Sequence, residues 1–293
     1  MNNRLPAFWA VIPAAGVGAR MAADRPKQYL QLGGRTILEH SLGCFLDHPL
    51  LKGLVVSLAV DDPYWPNLAC AADPRIHRAD GGSERSGSVL NALLHLNALG
   101  ASDDDWVLVH DAARPNLSRD DLDKLLGELA DDPVGGLLAV PARDTLKRVD
   151  KHGRVVETVD RSLIWQAYTP QMFRLGALHR ALADSLVADA LITDEASAME
   201  WSGQAPRLIE GRSDNIKVTR PEDLEWLRLR WVNRSLYERA CSRKTSTITQ
   251  DAWINAALSG FSRASSLLQG FAKPLRCTPA ARPAPPSRNP PAS

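Results

Sequence analysis

The chain predicts an α/β protein with a doubly wound, mostly parallel sheet, on three observations. Four apolar runs, at 8–12, 53–60, 106–110 and 136–140, are near-continuous rather than alternating, as expected of strands covered on both faces. Helix-like stretches at 36–46, 88–99 and 119–130 lie between them, so strand and helix alternate along the chain. The first run leads directly into a loop of small residues, and the third ends on an acid, Asp111. Ligands of open α/β sheets bind beyond the carboxyl ends of the strands, where both features fall.

The first run is followed by Pro13-Ala14-Ala15-Gly16-Val17-Gly18-Ala19-Arg20-Met21, and a weak helical segment is expected from Met21 onward. Between Ala14 and Gly18 there is almost no side chain, so a ligand can approach the backbone closely. Successive N–H groups there can face an anion, as in phosphate-binding nests and at helix N-termini. Arg20 and Lys27, the latter in Pro26-Lys27-Gln28-Tyr29, add two positive charges, and together these features read as a triphosphate grip. No P-loop string occurs, and Met21 occupies the third small position of the dinucleotide fingerprint. A lone Gly-x-Gly after a strand is also an ordinary βα turn; the two placed cations are what a plain turn does not need. Further along, the run at 53–60 closes on Asp61-Asp62-Pro63, and Ser118 stands where a helix at 119–130 needs its N-cap.

With 293 residues and 44% apolar content, the chain suffices for one large α/β domain with attachments. Net charge is +1, which favours neither nucleic acid nor a membrane surface as the main partner. From Arg239 onward there are eight Lys/Arg and one acid, Asp251, so the preceding body is net negative and must place cations locally to bind phosphate. Cys44, Cys70, Cys241 and Cys277 form no Cys-x-x-Cys pair and fit neither a zinc site nor a disulfide framework. Reduced thiols, no transmembrane-length apolar stretch and no signal-peptide layout give the expectation of a cytoplasmic protein.

Residues 142–161 break the α/β pattern. They are charged, turn at Lys151-His152-Gly153, and carry short β-like pieces at 145–149 and 155–159, so a protruding hairpin is expected. Seven prolines between Pro274 and Ser293 give a composition that cannot bury a core and reads as disordered. A weak helix is possible at 252–271.

The string from Pro13 to Met21, followed by Pro26 to Tyr29, closely resembles the 2-C-methyl-D-erythritol 4-phosphate cytidylyltransferases, nucleotidyltransferases of the non-mevalonate isoprenoid pathway. Further stretches resemble that family in the right order: Gly81-Gly82-Ser83-Glu84-Arg85-Ser86-Gly87-Ser88-Val89, Val109-His110-Asp111-Ala112-Ala113-Arg114-Pro115, and Asp144-Thr145-Leu146-Lys147-Arg148. Thr158-Val159-Asp160-Arg161, Thr169-Pro170-Gln171, Thr193-Asp194-Glu195-Ala196 and Asp214-Asn215-Ile216-Lys217-Val218-Thr219 complete the series. The resemblance covers roughly Phe8 to Tyr237. It implies a cytidylyltransferase domain at 1–237 with a Rossmann-like nucleotidyltransferase fold, leaving a basic, Pro-rich tail at 238–293. Some relatives carry a fused zinc-dependent cyclodiphosphate synthase, but all seven histidines here lie at or before His179, which argues against a second enzyme.

The activity implied is transfer of CMP from CTP to 2-C-methyl-D-erythritol 4-phosphate, giving 4-diphosphocytidyl-2-C-methyl-D-erythritol and pyrophosphate. An acceptor phosphate oxygen attacks the α-phosphorus in line, so catalysis is mostly positioning and charge neutralisation. The resemblance makes Arg20, Lys27, Arg161 and Lys217 catalytic. It puts Pro13, Ala14, Ala15, Gly16 and Gly18, with Gly81, Gly82, Ser88, Asp111 and Ala112, at CTP. Asp111, Arg114, Thr145, Arg161, Thr169 and Lys217 fall at the acceptor. Mg²⁺ is the implied cofactor, with Asp111 its most plausible carboxylate, although Asp111 equally suits the acceptor hydroxyls. Relatives often carry an acid where this chain has Ser83. The arm at 142–161 is implied to embrace a second subunit, giving a homodimer whose site takes Arg161 from the partner. Two alternatives are a ribitol 5-phosphate cytidylyltransferase, with the same grip and another acceptor pocket, and a nucleotide-binding regulatory protein without transfer activity.

Overall fold

The computed structural model describes residues 5–16 and 24–242, with side chains through residue 231. Its centre is β1 (Phe8–Pro13), whose residues are almost all buried. β1 pairs in parallel with β4 (Leu51–Leu58) on one side and β6 (Trp106–Val109) on the other. Beyond β4 lies β5 (Ile76–Asp80), also parallel. Beyond β6 lies β10 (Trp165–Arg174), antiparallel to both β6 and β7 (Gly135–Pro141), and β11 (Arg207–Glu210) pairs in parallel with β7 at the far edge. The seven-stranded order is therefore β11-β7-β10-β6-β1-β4-β5.

The doubly wound character follows from β1 itself, because alternate residues point to opposite faces. Phe8, Ala10 and Ile12 join one core with Leu38, Leu42 and Phe45 of α1 (Ile37–Leu46) and Leu122 and Leu126 of α3 (Arg119–Leu129). Trp9 and Val11 join the other with Val89, Leu93 and Leu96 of α2 (Arg85–Ala98) and Leu178 and Leu182 of α4 (Leu175–Val187). Both sets are buried, which is why the run lacks the alternation of a one-sided sheet. Helix starts are set by local chemistry. Thr36 and Glu39 form a reciprocal capping box for α1, and Ser118 accepts from the Asp121 N–H at 3.1 Å, as an N-cap should.

A third cluster joins Leu32 and Ile37 to Ala113, Val218, Leu224 and Leu227. It packs the first turns of α6 (Pro221–Ser242) near the short hairpin of β2 (Gln31–Leu32) and β3 (Arg35–Thr36). That hairpin turns through Gly33 at φ +60°, where a Cβ would lie 2.9 Å from Trp231. Between residue 24 and β2 there is one short 3₁₀ turn, Lys27–Tyr29; the helical segment expected from Met21 lies partly outside the described residues.

The charged insertion is a two-stranded antiparallel sheet of β8 (Leu146–Val149) and β9 (Val155–Val159), turning at Gly153 with φ +77°. Its apolar residues Val149, Val155 and Val156 are exposed, as are Leu163 and Ile164 just beyond it. The chain divides into compact units at Met1–Arg234 and Ser235–Ser293. The expected helix at 252–271 and the Pro-rich stretch lie outside the described residues. Among the described residues, no helix is long and apolar enough to cross a membrane.

Candidate active site

At the carboxyl ends of β1, β4, β5 and β6 the chain encloses a cavity of about 220 Å³. One wall is the small-residue loop after β1. Its entry is fixed by the Ala14 N–H donating to Ser57 O at 2.8 Å. Gln28, almost fully buried, then donates through Nε2 to Ala14 O at 2.7 Å and Gly16 O at 3.1 Å. One amide group thus holds two loop carbonyls.

The facing wall is the turn from β5 into α2. Gly81 N–H donates to Leu58 O at 2.7 Å, Gly82 N–H to Ser88 Oγ at 3.0 Å, and Ser88 Oγ–H to Glu84 O at 3.0 Å. Only glycine fits here. A Cβ on Gly81 would stand 2.2 Å from Ala15 Cβ, and one on Gly82 would stand 2.7 Å from the backbone of Gly87. The close approach of the two loops therefore depends on Gly81, and the packing of the turn onto the start of α2 on Gly82.

The floor is Asp111, Ala112 and Ala113, after β6, with Lys217 beside them. Asp111 is nearly buried between three cations: Arg85 Nε at 3.3 Å, Arg114 Nε at 3.2 Å and Lys217 Nζ at 3.0 Å. Burial alone would raise its pKa, but Arg85, Lys217 and Arg114 outweigh that and hold the carboxyl well below the usual carboxylate range. Lys27 Nζ, on the rim, donates to Val218 O at 2.9 Å, which ties the 3₁₀ turn to the irregular segment carrying Lys217.

Beneath the floor runs a chain of hydrogen bonds. The Asp111 N–H donates to Thr169 Oγ1 at 3.1 Å, and Thr169 Oγ1 lies 2.9 Å from His110 Nδ1. His110 Nε2 lies 2.9 Å from Arg114 O, so Nε2 carries the proton and Nδ1 accepts from the threonine. Burial drives the His110 pKa down to about 4, so the ring is neutral at ordinary pH. Arg114 also donates to Asn215 O at 2.7 Å and stacks 4.5 Å from the centroid of Tyr168. Asn215 donates to Thr169 O at 2.8 Å, while its own buried Oδ1 has no hydrogen-bond partner among the described residues.

Most of the residues expected at CTP come together: Pro13, Ala14, Ala15, Gly16, Gly82, Ser88, Asp111 and Ala112 line one cavity with Lys27 and Lys217. Gly81 supports it from the loop behind. Gly18 and Arg20 lie outside the described residues. Four acceptor residues are placed differently from Asp111 and Lys217. Arg114 and Thr169 are buried beside Asp111: Arg114 gives Nε to Asp111 and Nη1 to Asn215 O, and Thr169 Oγ1 accepts from the Asp111 N–H. Thr145 and Arg161 are exposed on the arm and do not line this chain's cavity. Three contributors had no role assigned from sequence: Gln28, Arg85 and Glu195. Each sits inside a motif quoted above, but their pairings span 12 to 110 residues and carry no local signal.

The protein side chains alone do not build a complete metal site. Among the described residues no group of three or more His, Cys, Asp and Glu is placed to hold one. Asp111, the expected ligand, pairs both oxygens with cations, so a metal there would take its remaining ligands from the nucleotide.

A doubly wound sheet bearing a small-residue loop, two glycines and flanking cations at its strand ends defines a nucleotidyltransferase, an enzyme class that commonly uses a divalent metal. Comparison with known proteins specifies which one. The chain belongs to the 2-C-methyl-D-erythritol 4-phosphate cytidylyltransferase family, whose model matches residues 8–228. Proteins of that name from Pseudomonas fluorescens SBW25 and Pseudomonas putida KT2440 are 94% and 81% identical over 234 residues, covering 80% of this chain and all of each relative. The crystal structure of the Francisella tularensis protein of that name is 40% identical, with a TM-score of 0.65, over 75% of this chain and 97% of that one.

Proposed function

We propose that this chain transfers CMP from CTP to 2-C-methyl-D-erythritol 4-phosphate, releasing pyrophosphate, as a cytoplasmic homodimer. The observation that carries the reading is the single cavity in which Ala14–Gly16, Gly82 and Ser88 meet Lys27, Asp111 and Lys217. CTP lies between the two loops, with its triphosphate against the N–H groups after β1. The pyrimidine sits by Gly82 and Ser88, where the tight approach of the loops leaves little room for a purine.

An acceptor phosphate oxygen forms the new bond to the α-phosphorus while the bond from that phosphorus to the bridging oxygen breaks, and pyrophosphate leaves. The nucleophile is already anionic and needs no general base. Lys27 and Arg20 neutralise charge on the triphosphate and the five-coordinate phosphorus, and Lys217 meets the acceptor phosphate. Asp111 accepts from the acceptor hydroxyls. Arg114 and Thr169 act through Asp111, by fixing its carboxylate and its backbone N–H. Mg²⁺ is the expected metal, and Asp111 is the carboxylate of the cavity floor that would meet it.

Thr145 and Arg161 reach the acceptor from the partner subunit's arm. Their exposure, and that of Val149, Val155 and Val156 beside them, supports this reading. The catalytic domain is 1–237, supported by the compact unit that ends at Arg234. The basic tail at 238–293 is assigned no part in transfer. The test is pyrophosphate release from CTP with methylerythritol phosphate or ribitol 5-phosphate as acceptor. Turnover on the first alone supports the reading. Turnover on the second moves the chain to the sister activity, and CTP binding without turnover on either leaves a nucleotide-binding protein.

A further inference from the structure

The motif Thr193-Asp194-Glu195-Ala196 has no part in the reaction just described, yet it holds one of the most deeply buried acids in the molecule. Glu195 is 0% exposed and opens α5 (Glu195–Trp201), after the N-cap Asp194. Both of its oxygens are used on one guanidinium, Arg85 Nη1 at 2.6 Å and Nη2 at 3.0 Å. The third donor of that fork, Nε, lies 3.3 Å from Asp111 Oδ1. Arg85 thus joins a buried structural acid to the floor of the nucleotide cavity. The pair also stands between that cavity and a smaller one of about 140 Å³, lined by Leu182, Ile192 and Thr193.

Arg85 occupies the first position of α2, where a cation opposes the helix dipole. Its location is therefore unfavourable for α2 alone. Glu195 outweighs this, and its own position is fixed independently. Gln171 on β10 donates to Asp194 Oδ2 at 2.8 Å and accepts from the Ala196 N–H at 2.7 Å, holding the start of α5 against the central sheet. The two hydrogen bonds of one bidentate pair to a rigid acid leave the guanidinium one orientation, with Nε aimed at Asp111.

We propose that Arg85 and Glu195 are a positioning pair: Glu195 aims Arg85, and Arg85 fixes the Asp111 carboxylate in the rotamer that receives the acceptor. This rests on the reading of Asp111 as an acceptor contact. Without Glu195, the charge of Arg85 falls on Asp111 alone and draws it away from Lys217 and Arg114. The loops that hold CTP keep their own bonds, Gly82 N–H to Ser88 Oγ and Gln28 to Ala14 O, and do not depend on the pair.

The test compares wild type with Glu195→Gln, Arg85→Lys and the double variant Arg85→Gln/Glu195→Gln, measuring kcat/KM for the acceptor, calorimetric Kd for CTP, and Tm. Arg85→Lys keeps a charge beside the buried acid, so it folds, but it loses the fork and its Nε. Each single variant is expected to lose about tenfold or more in acceptor kcat/KM, the scale seen when partners that orient a catalytic group are removed, with CTP Kd within about twofold of wild type. The double variant has no buried charge to balance, so it regains Tm but not acceptor turnover. Recovery of both in the double variant, or an equal loss of CTP affinity in the singles, overturns the proposal by making the pair merely structural. A wild-type protein that fails to turn over the acceptor refutes the underlying activity instead.

Discussion

Gly82→Ala isolates the contribution of loop geometry to nucleotide binding. The added Cβ would stand 2.7 and 2.9 Å from Gly87 C and Cα and 2.9 Å from Ser88 N, all backbone atoms. That backbone belongs to α2, anchored in the core by Val89, Leu93 and Leu96, so the helix does not yield. The 81–82 loop does, because it is held mainly by Gly81 N–H on Leu58 O and Gly82 N–H on Ser88 Oγ. Overpacking of this kind costs about 2 kcal/mol. The free protein relaxes by moving the loop outward, and CTP binding must then restore it. That 2 kcal/mol appears as a loss of roughly 30-fold in CTP affinity. Tm should change little, since the strain is relieved when no nucleotide is bound. Gly87→Ala is the matched control, for its Cβ would meet only Gly82 Cα, at an ordinary 3.5 Å. Calorimetric titration with CTP reads both variants. Wild-type affinity in Gly82→Ala, or an equal loss in Gly87→Ala, refutes the argument that the touching glycine turn shapes the pocket.

Lys27→Ala should lower kcat by about two to three orders of magnitude, the scale for removing one transition-state charge partner, with Tm nearly unchanged; turnover within threefold of wild type would contradict it. Mixed dimers of Lys27→Ala with Arg161→Ala subunits should regain a fraction of the activity that neither homodimer shows, because one composite site then has both cations; no recovery on mixing refutes the shared site. His110 has a pKa of about 4 when folded, depressed chiefly by burial, against about 6.5 when unfolded. Its contribution is present in full above pH 6.5 and is lost as pH falls through the folded pKa, about 3 kcal/mol in all at 1.36 kcal/mol per unit. Urea unfolding between pH 7.5 and 4 checks this, and a flat profile in that window would refute it.

Four strands of the sheet were legible because β1, β6, β7 and β4 from Gly53 onward are almost wholly apolar, and burial on both faces leaves that mark in sequence. β5 and β10 were not. Ile76-His77-Arg78-Ala79-Asp80 is an edge strand with polar residues on both faces, and β10 starts exposed at 166–167 and contains Pro170. Nothing in such segments separates strand from loop. The antiparallel β10 therefore entered only with the structure, as did α4, α5 and β11 beyond it. α2 starts at Arg85, three residues before the expected Ser88, because the Gly-Gly turn is itself the helix entry.

At the site, residues carried on one loop or strand end were readable, since Ala14–Gly16 and Asp111 sit where α/β topology puts ligands. Arg114 and Thr169, expected to line the acceptor pocket, also bond to the Asp111 carboxylate and backbone N–H, contacts that the sequence did not announce. Neighbours cannot be inferred from spacing when Thr169 lies 58 residues from the backbone N–H it accepts from. The same holds for Glu195 and Arg85, and for Gln28, whose type suggests a surface polar residue while its bonds make it the brace of the nucleotide loop.

The most direct test of the central claim follows CTP and methylerythritol phosphate by phosphorus NMR in the presence of Mg²⁺ and the protein. The account predicts that pyrophosphate and a new cytidine diphosphate ester appear together in equal amounts, and only when acceptor is present. Pyrophosphate formed without acceptor, or acceptor left unchanged while CTP is consumed, would show hydrolysis rather than transfer and contradict it.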